Sequence, residues 1–162
     1  MTAGNALVFT VVAFSFLVAA VLAVVPLPQW LLWARPEWIA LFVIYWCIAL
    51  PHRVGIFTAL LVGLLLDALE GAVLGQNAFS LSVLALCSLL VYQRLRVFSL
   101  WQQCGVVFLL IGLHQLLGQW VQNLEGAGAR SLLFLMPAVS SALLWPVILH
   151  LLRGTRRYYR IS

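Results

Sequence analysis

Charge is what this sequence has least of: nine basic and four acidic side chains among 162 residues. A soluble domain is typically about a quarter charged and about half apolar. At 8% charged and 65% apolar, with a mean hydropathy of +1.10, this chain cannot cover a water-facing surface, and the rest of its surface must face lipid. It also lacks the alternating polarity of a closed β-barrel, showing continuous apolar runs instead. A membrane-crossing helix takes about 20 apolar residues. The chain has room for six, joined by short loops. The expected fold is therefore all-α, a polytopic integral membrane protein with about six transmembrane helices in one domain over residues 1–162.

Residues that carry chemistry are as sparse as charge. His52, His114 and His150 are scattered, and neither HExxH nor GxSxG occurs. No glycine-rich phosphate loop follows a strand. Cys47, Cys87 and Cys104 have no paired spacing, so they read as small apolar packers rather than a zinc site or disulfide framework. Ser140-Ser141 lies mid-span, where serine more often bonds a helix backbone. The expectation is no enzyme, no cofactor and no metal. The net charge of +5 does not imply nucleic acid, because the arginines sit at membrane margins without a stacking platform or groove-reading motif.

The spans fall at about 6–25, 37–50, 55–69, 76–92, 101–122 and 131–152. The first ends at Pro26-Leu27-Pro28 and lacks the basic n-region of a signal peptide, so it reads as retained, although Ala20–Ala23 faintly resembles a cleavage site. The second is short, about 21 Å as a helix, between Pro36 and Pro51. Either Trp30-Leu31-Leu32-Trp33 lies along the interface and adds depth, or the segment is re-entrant. Residues 94–100 and 123–130 hold charges and turn formers and read as loops. Trp30, Trp33, Trp38, Trp101 and Trp120 lie near span ends, as an aromatic belt would place them; Trp46 and Trp145 lie deeper and read as packing residues.

Arginine placement gives the orientation. Arg53, Arg94, Arg96, Arg153, Arg156, Arg157 and Arg160 share the side of the two termini, which puts both termini in the cytoplasm. Arg35 and Arg130 fall in the outer half, with Glu37, Asp67, Glu70 and Glu125. The basic tail, 153–162, fits an anionic leaflet, with each Arg contributing about 1 kcal/mol near membrane lipids; a docking peptide is the other use. His52, Arg53, Arg94 and Arg96 are candidates for cytoplasmic contacts.

The most informative local pattern is a period-four row: Gly55, Ala59, Gly63, Asp67, Gly71 and Gly75. Residues four apart form a helix ridge, and small ones let another backbone come close. The ridge serves packing within this chain, a partner's helix, or self-association; Gly71 and Gly75 fall in the turn beyond the helix. Asp67, deep in the span, is costly enough to need a partner. Arg35, Asp67, Glu70, Gln115, Gln119 and Gln122 form a candidate outer polar cluster, with Gln76, Asn77, His114 and Arg130 near it. It is either a hydrogen-bond network between helices or a ligand or proton-linked cavity.

At Arg35-Pro36-Glu37-Trp38, Ile44-Tyr45-Trp46 and Leu50-Pro51-His52-Arg53-Val54-Gly55 the chain resembles the bacterial rod shape-determining MreD family. The likeness continues through Gly63-Leu64-Leu65-Leu66-Asp67, Gly71, Leu74-Gly75, Leu100-Trp101-Gln102-Gln103 and Leu144-Trp145-Pro146. It covers about residues 30–150 and is similar to the proteobacterial form. The resemblance implies a multi-pass inner-membrane component of the elongation machinery that binds MreC directly. It also implies action alongside MreB and, through the complex, on the RodA–transpeptidase peptidoglycan synthase. It implies no catalytic activity. The family's helical arrangement is similar to the substrate-binding components of energy-coupling-factor transporters, a likeness of fold that does not confer transport. A small-molecule-binding or transporter subunit with an outward-facing polar pocket is the alternative function.

Overall fold

The computed structural model describes residues 3–26, 28–29, 34–124, 126 and 132–158. The interfacial reading of Trp30–Trp33, and the placements of Glu125, Arg130 and Arg160, lie outside these residues. Among the described residues six α-helices follow one another: α1 Ala3–Val24, α2 Trp38–Ala49, α3 Ile56–Glu70, α4 Gln76–Val97, α5 Leu100–Leu124 and α6 Met136–Tyr158. A 3-10 turn, Leu132–Leu135, leads into α6. The chain is an all-helical polytopic membrane protein. Ala6–Val24, Gln76–Val97, Leu100–Leu124 and Leu133–Tyr158 are long and apolar enough to cross a bilayer.

The helices alternate in direction, so their ends gather in two sets. The proximal end carries the start of α1, the end of α6, the α2–α3 turn and the α4–α5 turn. The distal end carries the start of α2, the α3–α4 turn, the end of α5 and the start of α6. The outside of the bundle is apolar: Phe14, Phe57, Leu61, Leu65, Leu90, Leu109 and Leu143 are all more than half exposed, as lipid-facing side chains are.

Helix α2 is the core. It spans only about 18 Å, and its residues Ile39–Cys47 are all buried. It packs against α1, α4, α5 and α6. A helix that is apolar all round belongs inside a protein, and one sheathed by its neighbours need not match the hydrocarbon thickness. The shortness read from the sequence is thus accommodated by burial.

Two loop boundaries differ from the sequence reading. Residues 94–97 are helical, and the α4–α5 turn is only Phe98-Ser99. Arginine is a good helix former and suits the negative end of a helix dipole; Arg94 and Arg96 form the last turn of α4. For the same reason the basic segment from Arg153 continues α6 as far as Tyr158. At the other boundary Asn123 and Leu124 complete α5, and Gly126 turns with φ 78°.

Side-chain bonds tie the helices together. Trp46 and Trp145 are fully buried. The Trp46 indole donates to Ser15 Oγ at 2.8 Å, joining α2 to α1, and the Trp145 indole donates to Gln103 Oε1 at 3.1 Å, joining α6 to α5. Gln103 Nε2 also donates to the carbonyls of Leu95 and Phe98, at 2.9 and 3.0 Å. Replacing Gln103 with Leu strands one buried indole donor and two carbonyls at once. The expected cost is about 2 kcal/mol, read as a lower midpoint of thermal unfolding in detergent; an unchanged midpoint would refute the clamp.

Candidate functional site

Helices α3 and α4 form a tight hairpin, and the period-four ridge is its seam. Ala59, Gly63 and Asp67 are buried on α3. A Cβ on Gly63 would lie 2.4 Å from Ala78 Cα and 2.6 Å from Ala78 N. A Cβ on Gly55 would meet Leu89 at 3.5 Å. The small residues therefore let α4's backbone seat directly on α3, and no room is left there for another helix. Gly71 and Gly75 lie beyond α3, with φ of 63° and 102°. Both are left-handed conformations that favour glycine, and Ala72 N closes a Schellman-type bond to Asp67 O at 3.1 Å.

Asp67 has its partners in this turn. Its Oδ2 accepts from Gly75 N at 2.9 Å and Ala78 N at 3.3 Å, and its Oδ1 accepts from Asn77 N at 2.9 Å. Gly75 is the N-cap of α4 and has no side chain to cap with; Asp67 supplies the cap from the neighbouring helix. A carboxylate at a helix N-terminus also meets the positive end of the dipole. Asp67 thus does not join the other residues of the predicted outer polar cluster. It is turned into the hairpin and lines neither distal cavity.

The rest of the predicted cluster divides between two cavities, each of about 250 Å³. Gln115, Gln119 and Gln122 of α5 line the first, with His114, Gln76, Asn77 and Glu37. Arg35 and Glu70 line the second, again with Glu37. Glu37 and Pro137 belong to both walls. Gln115 Nε2 reaches Glu37 Oε1 at 3.4 Å, Gln119 Nε2 donates to Gln122 Oε1 at 3.2 Å, and Glu70 accepts from Asn77 Nδ2 at 3.2 Å. Glu37 is the residue sequence reasoning passed over. Its signal was present: an acid directly after Pro36, at the mouth of the most apolar span.

At the proximal end, Arg96 is engaged by its own protein. Its guanidinium donates to the Ile48 carbonyl at 2.6 and 3.0 Å and to Ala49 O at 3.4 Å, closing the C-terminus of α2. It also lies 5.4 Å from the centre of the Tyr92 ring. Of the residues proposed for cytoplasmic contact, His52 and Arg94 are exposed and Arg53 is half-buried.

Two substitutions separate charge from shape at the hairpin. Gly63→Ala forces α4 off α3 and should cost about 3 kcal/mol in detergent unfolding. Asp67→Asn keeps the volume but turns an amide donor toward an amide donor, and should cost about 1–3 kcal/mol. Leu61→Ala, on the exposed face of α3, should cost far less than either. If Asp67→Asn unfolds like the parent, the trans cap contributes nothing.

Comparison with known proteins bears on the whole chain. The family model for rod shape-determining protein MreD matches residues 4–155. The rod shape-determining protein MreD of Haemophilus influenzae is 33% identical over 153 residues, covering 94% of each chain. No solved structure matches, so the likeness to energy-coupling-factor components gains no support from that side. With a match running from α1 into the last turn of α6, the chain belongs to the family of rod shape-determining protein MreD.

Proposed function

We propose that the protein is a non-enzymatic scaffold of the rod-shape machinery in the bacterial inner membrane, and that it receives the single transmembrane helix of MreC in a groove between α1 and α6. Through that complex it supports the MreB-linked, RodA–transpeptidase synthesis of lateral peptidoglycan. Family membership supports the role in cell shape. The observation that carries the docking site is the groove itself, of about 880 Å³.

Helix α1 packs mainly on α2, leaving a slot walled by Leu7, Val11 and Phe14 on one side and Leu151 and Leu152 on the other, with Phe42 at its floor. Helices associate in lipid by close packing rather than by escape from water, so a slot contacting a partner on two walls outperforms a convex face. Thr10 and Thr155 add hydroxyls along it. The ridge of α3, the other candidate, is already filled by α4 at Gly63. The orientation follows from charge. Arg53, Arg94, Arg96, Arg153, Arg156 and Arg157 all sit at the proximal end, which the positive-inside rule assigns to the cytoplasm.

Filling the slot tests the reading. Thr10→Trp or Leu151→Trp, both at exposed positions of the slot, should abolish co-purification of MreC and rod shape while leaving insertion and thermal stability unchanged. Leu109→Trp, on the outer face of α5, should do neither. Retention of MreC by both slot variants would overturn the groove assignment.

The alternative, a small-molecule-binding subunit, has one observation in its favour: the polar distal cavity.

A further inference from the structure

Two residues that line the cavity walled by α5 carry buried polar atoms without partners. His114 is only 6% exposed, and its Nδ1 makes no hydrogen bond; Gln115 Oε1 is likewise buried and unpaired. Such atoms are rare in native proteins, because each costs its full desolvation. Both side chains line the same cavity as Glu37.

In the tautomer that carries its proton on Nε2, the His114 ring presents a lone pair at Nδ1. The Gln115 amide cannot flip, since its oxygen would then face the Glu37 carboxylate instead of its NH₂. In that tautomer the unpaired atoms are two acceptors beside the Glu37 side chain.

An anion would meet the Glu37 side chain, with no cationic side chain among the described residues that line the cavity. The first amides of α4, which would bind one, are consumed: Gly75, Asn77 and Ala78 by Asp67, and Gln76 by Val73 O. What fits three acceptors, one of them charged, is a group with three donor hydrogens and a positive charge. The volume, about 250 Å³, lies below the roughly 300–1,000 Å³ of drug-sized pockets and suits a headgroup-sized molecule.

We propose that this distal cavity binds a primary ammonium group, with Glu37, Gln115 Oε1 and His114 Nδ1 as its three acceptors. The group has two possible sources, the headgroup of an aminophospholipid or a soluble amine. The site is independent of the partner-helix groove, which lies at the other end of α1 and α6.

The test uses the full chain in detergent without MreC, so its failure leaves the scaffold reading standing. In one arm, native mass spectrometry follows retention of phosphatidylethanolamine against phosphatidylcholine of the same acyl chains, whose headgroup has no N–H. In the other, ethanolamine is titrated calorimetrically. A preference for phosphatidylethanolamine of at least about tenfold identifies a lipid source; saturable one-to-one uptake of ethanolamine identifies a soluble one. In either case Glu37→Gln should reduce binding at least about tenfold, and Gln115→Met carries the same test if the first variant is poorly folded. Equal retention of the two lipids with no ethanolamine uptake, or binding untouched in a folded variant, overturns the proposal and leaves the cavity to water.

Discussion

In a bilayer every backbone polar group must find its partner within the protein, and the groups most at risk are those at helix ends. In this protein the two most enclosed helices have their ends closed by side chains from other helices. The start of α2 is held where Glu37 N donates to Ser141 Oγ of α6 at 2.9 Å, and its end by Arg96 of α4. The start of α4 is capped by Asp67 of α3, and its end by Gln103 of α5. Each closure also fixes how two helices sit against each other. Capping and tertiary packing are here the same interactions, so the loss of one cap loosens a helix pair as well as a helix end.

That economy explains what could be read from the sequence. The apolar runs and the prolines at 26, 28, 36 and 51 mark where helices lie, because span length and proline geometry are local properties. The cost of a buried acid marked Asp67 as needing a partner. The partner itself was not legible, because three backbone amides leave no mark on a side-chain pattern. Arg96 misled for the complementary reason: an arginine beyond an apolar run looks like a free positive-inside charge, and only the packing of α4 on α2 brings it to the Ile48 carbonyl. The α3 ridge was visible as a pattern, but its occupant was not. Small residues at i+4 steps state that some backbone comes close, without stating whose.

The structure also separates two kinds of surface that the sequence had blended. The small-residue ridge and Asp67 belong to the protein's own assembly. The slot beside α1 and the polar recesses at the distal end remain open. A ridge kept for another protein's helix would leave the α3 seam open; here α4 fills it at Gly63 from within the chain.

The distal recess follows from unequal helix lengths. Glu37 opens α2 at the level of Gln115, whereas α5 continues to Leu124, about 13 Å further at helical rise. Short α2 therefore makes a floor below the rim of its longer neighbour, at a depth where apolar side chains would normally meet lipid. The inward face of α5 above that floor carries Gln115, Gln119 and Gln122 instead. Glutamines at successive turns are costly against hydrocarbon and favourable against polar groups, which suits a recess also lined by Glu37, Gln76 and Asn77. The feature that first looked like a defect of the second span, its insufficient length, is what sets this polar recess below the rim of α5.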